Sequence, residues 1–191
     1  MSTTGVILAG GRATRMGGID KGLERFAGRT LIECVIERVR PQVDDLLINA
    51  NRNTEQYQEL GYPVVADRIG GFAGPLAGLH AALSDAHSAF VATFPCDSPF
   101  VPLDLVSRLL QSLSESEAEV AVASVAKRMQ PVFSVCLASL RIPLEAFLLA
   151  DGRKFEDWIA SRRLVEVSFD DQAAAFRNIN TAEDLRGADE R

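Results

Sequence analysis

The sequence predicts an α/β domain in which a mostly parallel, mixed sheet lies between two layers of helices. In the first half of the chain, short apolar runs alternate with amphipathic helical segments, which is typical of a parallel sheet covered on both faces. Two later apolar runs, 120–125 and 132–137, are too close for a helical crossover and predict an antiparallel pair. With 191 residues, 47% hydrophobic and 24% charged, the chain fits one domain over 1–191.

The predicted elements begin with a buried strand at 6–8, a glycine-rich loop and a helix that starts after Thr30. Thr30 and Glu33 form a capping-box pattern, apolar residues then recur at helical spacing, and Pro41 ends the helix. The later elements follow from the same kinds of pattern: strand 45–51, helix 53–60 with Asn53 as its cap, strand 63–66, helix 79–86, strand 89–94, helix 102–114, strands 120–125 and 132–137, helices 140–149 and 155–161, strand 164–169 and helix 181–186.

The segment at 8–21, with the sequence LAGGRATRMGGIDK, predicts a phosphate-binding loop. Glycines directly after a buried strand free backbone N–H groups that can bind phosphate oxygens, and Arg15 and Lys21 add positive charge. The spacing matches neither a Walker loop nor a Rossmann G-x-G-x-x-G fingerprint. The alternative interpretation is a glycine-rich surface turn with solvated Arg and Lys side chains.

Two further segments lie next to predicted strands. The glycine- and proline-rich segment 70–78 opens a predicted helix, and it is either a ligand-binding loop or a simple connection. Asp97 follows the most apolar strand, between Pro95 and Pro99, which hold it in a stiff turn. Open α/β sheets bind ligands at this carboxyl edge of their strands, so Asp97 is a candidate site residue.

The charge distribution favours a small phosphorylated ligand over a nucleic acid. The net charge is −6, yet residues 1–29 carry five basic and two acidic side chains. Nucleic-acid binding calls for a broad basic face, so we expect no nucleic-acid partner. The chain shows neither a membrane-length apolar run nor a signal-peptide pattern, and its three cysteines are scattered. These features predict a cytoplasmic protein with reduced thiols and no membrane association.

Seven short motifs follow one another along the chain: LAGG at 8–11, RMG at 15–17, DKG at 20–22, NANR at 49–52, GPLAG at 74–78, PCD at 95–97 and NINT at 178–181. In this series, which runs from end to end, the chain resembles the molybdenum cofactor guanylyltransferase family. The wider nucleotidyltransferase superfamily shares the first motif and the metal-binding Asp, whereas the full series is specific. The resemblance implies a three-layer, Rossmann-like nucleotidyltransferase fold.

The resemblance also implies a reaction, in which GMP passes from GTP to molybdenum-molybdopterin with release of pyrophosphate. The implied GTP-binding residues belong mostly to the N-terminal part: Leu8, Ala9, Gly10, Gly11, Lys21, Asn49, Asp67, Gly78 and Asp97. Lys21, Arg15 and Asp97 are the implied catalytic residues, with Asp97 as ligand of Mg²⁺. Asn178 and Asn180, in the C-terminal part, are implied to bind molybdopterin. Transient contacts with proteins that supply molybdopterin and with molybdoenzyme chaperones are implied as well.

The implied roles agree with the chemistry of phosphoryl transfer. The attacking phosphate is already an anion and needs no general base, so the site has to position the substrates and neutralise charge. Mg²⁺, Lys21 and Arg15 can do so, and Mg²⁺ often takes only one or two protein carboxylates. Without the resemblance, Asp67, Asn49 and Asn51 would be interpreted as turn or cap residues.

Three alternatives to this interpretation stay open at the sequence level. A molybdopterin cytidylyltransferase typically has LAAG in the first loop and DQP around the metal carboxylate, where this chain has LAGG and CDSP. A sugar-phosphate nucleotidyltransferase commonly carries a longer sugar-binding part. A non-catalytic nucleotide-binding regulatory module needs phosphate affinity, but it does not need Lys21 together with Asp97.

Overall fold

The computed structural model describes residues 1–10, 20–70 and 74–179, and the elements below belong to these ranges. The strands are β1 (Thr3–Leu8), β2 (Arg25–Phe26), β3 (Arg29–Thr30), β4 (Asp45–Asn49), β5 (Val64–Val65), β6 (Phe90–Pro95), β7 (Val120–Val125), β8 (Arg128–Leu137) and β9 (Leu164–Ser168). The α-helices are α1 (Leu31–Val39), α2 (Thr54–Gln58), α3 (Pro75–Asp85), α4 (Leu105–Glu115), α5 (Arg141–Leu149) and α6 (Phe155–Ala160).

Seven of the strands form one sheet in the order β5-β4-β1-β6-β8-β7-β9, and β2 and β3 form a separate small hairpin. Neighbouring strands of the large sheet are parallel except where β8 pairs with β6 and with β7. The prediction of a mostly parallel, mixed sheet is therefore confirmed. The antiparallel pair predicted at 120–125 and 132–137 is present as β7 and β8.

Helices cover both faces of the sheet, because successive strand residues point to opposite sides. Ile7 of β1 packs in the apolar layer that contains α1 and α4, whereas its neighbour Val6 packs in the layer that contains α3, α5 and α6. Trp158 of α6 is fully buried in the second layer. The three-layer arrangement predicted from the sequence is thus confirmed.

Local sequence signals set several element boundaries. The predicted capping box of α1 is present: the Glu33 backbone N–H donates to the Thr30 hydroxyl, and the Thr30 backbone N–H donates to the Glu33 carboxylate. A 3₁₀ turn at Arg40–Gln42 follows α1. Ala126 and Lys127 have φ values of 48° and 61°, which suits a tight two-residue hairpin turn. β8 consequently begins at Arg128, four residues before its predicted start.

Two predicted helix starts are wrong. α3 begins at Pro75 rather than at residue 79, because Gly74 adopts a φ of 66° and Pro75 is preorganised for a first helical turn. Gly78 is therefore helical and does not belong to a loop. α4 begins at Leu105 rather than at residue 102, because residues 103–104 form a turn. α2 begins at Thr54, directly after the predicted cap residue Asn53, but the Asn53 side chain binds Asp20 instead of capping the helix.

Three further predictions concern a C-terminal helix, membrane-spanning segments and the cysteines. The helix predicted at 181–186 lies outside the described residues. Over the ranges that are described, no helix is long and apolar enough to cross a membrane. All three cysteines fall within these ranges and are free thiols.

Candidate active site

The candidate site lies at the carboxyl ends of four adjacent parallel strands, β5, β4, β1 and β6. The register places Leu8 of β1 opposite Asn49 of β4 and opposite Pro95 of β6, and it places Asn49 opposite Val65 of β5. The residues that follow these positions therefore emerge side by side at one edge of the sheet, where α/β folds bind ligands. Gly10, Asn51, Asp67 and Asp97 follow these four strand ends.

The Asp67 carboxylate is held by two amide side chains. Asn49 Nδ2 donates to Asp67 Oδ1 at 2.9 Å, and Asn51 Nδ2 donates to Asp67 Oδ2 at 2.8 Å. The Asp67 backbone N–H donates in turn to Asn51 Oδ1 at 2.9 Å. Asn49 is only 2% exposed and also donates to the Val65 carbonyl. Because each carboxylate oxygen has two acceptor positions, Asp67 retains acceptor capacity for a ligand.

Two glycines allow this cluster to approach β1 and α3. A Cβ atom at Gly78 would lie 2.3 Å from Asn49 Oδ1 and 2.8 Å from Leu8 Cδ2. A Cβ atom at Gly10 would lie 2.9 Å from Asn51 Nδ2 and 3.0 Å from Asn49 Oδ1. The close approach of Asn49 and Leu8 thus requires a glycine at position 78, whereas a Cβ atom at Gly10 would displace only the ends of two amide side chains. The contribution of Gly78 is the space beside Asn49 rather than a loop backbone.

Lys21 and Asp97 form an ion pair at the same edge. Lys21 Nζ lies 3.5 Å from Asp97 Oδ2, and the two side chains are 33% and 16% exposed. Lys21 begins a 3₁₀ turn, Lys21–Leu23, and Asp97 lies in the turn after β6. Burial raises the pKa of the Asp97 carboxyl group above its usual range, and the Lys21 charge opposes that rise. A buried carboxyl group with a raised pKa, located at the edge of the sheet where ligands bind, is a candidate functional group.

Asp97 fits a hard divalent cation that is bound together with a nucleotide. In the described part of the chain, no three His, Cys, Asp or Glu side chains cluster as a complete metal site. Mg²⁺ commonly takes one or two carboxylates and completes its octahedron with water and phosphate oxygens. A single, mostly buried carboxylate at the carboxyl edge of the sheet agrees with that mode of binding.

The C-terminal segment reaches the turn that contains Asp97. The Ile179 backbone N–H donates to the Asp97 carbonyl at 2.8 Å. The hydroxyl of Ser98, a fully buried residue, donates to Asn178 Oδ1 at 2.7 Å. These contacts bring Asn178, predicted as a molybdopterin contact, next to the predicted metal ligand.

Asp20 is held by Asn53, which directly precedes α2, and by Tyr57, which lies in the second half of α2. The Tyr57 hydroxyl donates to Asp20 Oδ1 at 2.6 Å, and Asn53 Nδ2 donates to Asp20 Oδ2 at 3.1 Å. Burial and the bond to Asp20 raise the pKa of Tyr57, so its hydroxyl remains a donor. The sequence patterns did not single out Tyr57, and they predicted Asn53 only as the cap of a helix. The available signal was the position of Asp20 directly before Lys21.

The other predicted site residues divide between described and undescribed parts. Gly11, Arg15 and Asn180 lie outside the described residues. Ala9 continues from β1, and its backbone N–H donates to the Asn49 carbonyl at 2.8 Å. Cys96, to which the sequence assigned no chemistry, has its thiol pKa raised by burial and therefore stays protonated.

Comparisons with known proteins agree with this geometry. A family model described as the MobA-like NTP transferase domain matches residues 5–167. A molybdenum cofactor guanylyltransferase from Shewanella halifaxensis is 49% identical over 178 residues, which cover 93% of this chain and 89% of that protein. The crystal structure of molybdopterin-guanine dinucleotide biosynthesis protein A from Archaeoglobus fulgidus superposes with a TM-score of 0.77 at 25% identity, covering 98% of this chain and 97% of that one.

A more distant structure carries a metal. Rv0371C from Mycobacterium tuberculosis, in a complex with manganese, superposes with a TM-score of 0.69 at 17% identity. The alignment covers 100% of this chain and 99% of that one. At this identity the likeness concerns the fold alone.

Proposed function

The chain belongs to the MobA-like NTP transferase family, whose members are nucleotidyltransferases, and we propose that it transfers GMP from GTP to molybdenum-molybdopterin. The observation that carries this proposal is the Lys21–Asp97 ion pair on the same sheet edge as the Asn49–Asn51–Asp67 cluster. In this proposal, the Lys21–Asp97 pair binds the phosphates and a metal ion, and the Asn49–Asn51–Asp67 cluster offers a fixed hydrogen-bond acceptor to the nucleobase. Together they suit a nucleoside triphosphate lying along the edge.

In the proposed reaction, the terminal phosphate of molybdopterin attacks the α-phosphorus of GTP. A new P–O bond forms there, the bond from the α-phosphorus to the bridging oxygen of the β-phosphate breaks, and pyrophosphate leaves with the electron pair. The Lys21 ammonium group stabilises charge that grows on the phosphoryl oxygens. When bound at Asp97, Mg²⁺ supplies further neutralisation of the triphosphate. The attacking phosphate is an anion, so no side chain has to remove a proton.

The Asn49–Asn51–Asp67 cluster supports the choice of guanine. Asp67 is held as an acceptor, and guanine carries the N2 amino group and the N1–H as neighbouring donors. Cytosine offers one amino donor on the corresponding edge. We therefore expect GTP to be preferred over CTP by at least about tenfold in kcat/KM, roughly 1.4 kcal/mol.

The C-terminal part is proposed to bind the second substrate. Asn178 lies next to the Asp97 turn through its bond with Ser98, and Asn180 follows two residues later in the sequence. The proposal includes transient contacts with molybdopterin-supplying proteins and with molybdoenzyme chaperones. It also places the protein in the cytoplasm, where molybdopterin and GTP would be available.

The test is turnover by the purified protein with GTP, molybdenum-molybdopterin and Mg²⁺. We expect stoichiometric pyrophosphate and guanine dinucleotide, identified by mass spectrometry, and no product after chelation of the metal. A preference for CTP would assign the protein to the cytidylyltransferases. Tight GTP binding without pyrophosphate release would favour a regulatory module. If Mn²⁺ restored activity and Mg²⁺ did not, only the identity of the metal would be refuted, and the proposed reaction would stand.

A further inference from the structure

We propose that Tyr57 is a positioning residue for Lys21, acting through the Asp20 carboxylate and the Gly22 backbone. The inference rests on the proposed nucleotidyl transfer, in which Lys21 stabilises charge on the phosphoryl group. Tyr57 lies on α2, whereas Asp20, Lys21 and Gly22 are consecutive residues directly after the glycine-rich segment. The Tyr57 hydroxyl contacts the residues on both sides of Lys21, Asp20 and Gly22.

The bond between Tyr57 and Asp20 is well suited to hold a chain segment. Its oxygen–oxygen distance of 2.6 Å is that of a charge-assisted O–H···O⁻ bond, which is stronger than a neutral one. Tyr57 is fully buried, so its ring cannot swing away to follow a displaced Asp20. Asn53, on the solvent side, supplies a second bond to the other carboxylate oxygen at 3.1 Å.

Gly22 is confined by the same hydroxyl from another direction. A Cβ atom at Gly22 would lie 2.6 Å from the Tyr57 hydroxyl oxygen, 3.4 Å from Cys96 Cβ and 3.5 Å from Cys96 Sγ. The backbone at Gly22 therefore passes through a narrow gap between Tyr57 of α2 and Cys96. The absence of a side chain is what allows it to do so.

Lys21 lies between these two fixed points. Asp20 is tied to α2, Gly22 is packed between Tyr57 and Cys96, and Lys21 Nζ is 3.5 Å from Asp97 Oδ2. A shift of the segment would move the ammonium relative to the phosphoryl group and to Asp97. Displacements of about 1 Å outside the reacting groups can lower a rate by roughly 10²-fold. Tyr57 itself contacts neither substrate nor metal in this proposal.

The first test compares Tyr57→Phe with Tyr62→Phe, a matched control at the only other tyrosine in the chain. Tyr57→Phe removes only the hydroxyl and keeps the ring in the core. We expect kcat for GMP transfer to fall roughly 10- to 100-fold, with a change of less than about threefold in KM for GTP, because the transition-state role of Lys21 is affected more than ground-state binding. Tyr62→Phe is expected to keep wild-type kcat.

The second test is a double-mutant cycle between Gly22→Ala and Tyr57→Phe. In the wild-type background, the new methyl group collides with the Tyr57 hydroxyl and displaces the segment, so we expect both thermal stability and kcat to fall. In the Tyr57→Phe background that oxygen is gone, and the nearest remaining contact, at 3.4 Å, is an ordinary one. In that background, Gly22→Ala should lower thermal stability and kcat clearly less than in the wild type. The cycle is then non-additive in both stability and kcat.

The outcomes separate this inference from the proposed function. An unchanged kcat in Tyr57→Phe, or a pure rise in KM, would overturn the positioning role, as would additivity of the cycle in kcat. A cycle that is non-additive in stability but additive in kcat would also overturn it, because the contact would then be structural only. If the wild-type protein used CTP instead of GTP, the proposed function would fail, and the same variants assayed with CTP would still decide the role of Tyr57.

Discussion

Gly78→Ala is the substitution whose effect can be worked out most fully from the structure. The helix α3 places Gly78 against Asn49, and a Cβ atom there would lie 2.3 Å from Asn49 Oδ1, 2.7 Å from Asn49 Cγ and 2.8 Å from Leu8 Cδ2. An ordinary contact requires displacement of the Asn49 side chain by roughly 1 Å. The bond from Asn49 to Asp67, now 2.9 Å, cannot persist with that displacement.

The expected loss of stability follows from three contributions. Overpacking of a tight site costs about 1–3 kcal/mol, and loss of a bond to the carboxylate costs about 1.5–3 kcal/mol. Replacing a helical glycine by alanine returns up to about 1 kcal/mol. The free energy of unfolding should therefore fall by about 1.5–6 kcal/mol, which lowers Tm by roughly 3–24 °C in a domain of this size.

Thermal unfolding and GTP titration calorimetry test this prediction. We expect lower Tm and, because Asp67 is released from Asn49, at least about tenfold weaker GTP binding, or roughly 1.4 kcal/mol. Gly70→Ala is the control, because a Cβ atom there meets none of the described residues within 4 Å and the backbone φ lies outside the left-handed region. The Gly70→Ala substitution should change the free energy of unfolding by no more than about 0.5 kcal/mol. Wild-type Tm and GTP affinity in Gly78→Ala would refute the packing argument.

Three further predictions concern charged and titratable groups. Lys21→Arg keeps the charge but replaces a compact ammonium by a planar guanidinium, so kcat should fall roughly 10²- to 10³-fold in steady-state assays, and near-normal kcat would show that charge alone suffices. Asp97→Asn should abolish metal-dependent turnover without lowering Tm, because the raised pKa of the buried carboxyl shows that its ionised form is unfavourable in the fold; retained turnover would remove Asp97 from the mechanism. His80 is buried, neither ring nitrogen has a hydrogen-bond partner among the described residues, and burial lowers its pKa from 6.5. The unfolded chain therefore takes up this proton first as the pH falls, and stability should decline below about pH 6.5. His80→Leu should reduce that slope by up to about 1.4 kcal/mol per pH unit in urea unfolding from pH 5 to 8, and an unchanged slope would contradict the assignment.

The sequence was informative wherever a local pattern has a single physical solution. The short apolar run at 89–94, bounded by turn residues, favoured a buried strand, and Thr30 with Glu33 could cap a helix without any tertiary contact. The spacing between β7 and β8 excluded a crossover helix. In contrast, the start of α3 was misplaced because the glycines at 74 and 78 resemble each other in sequence, while one ends a loop and the other lies in a helix.

Sequence alone determined the layered α/β fold, the family, and the individual candidates Lys21, Asn49, Asp67 and Asp97, because periodicity and ordered motifs are local properties of the chain. Which candidates meet was decided by the parallel register that aligns four strand ends at one edge. The hydrogen bonds from the Asn49 and Asn51 side-chain amides to Asp67, and the hydrogen bond from Tyr57 to Asp20, join residues 16 to 37 positions apart. Such contacts depend on how α2 and the strands pack, and no spacing in the sequence specifies that geometry.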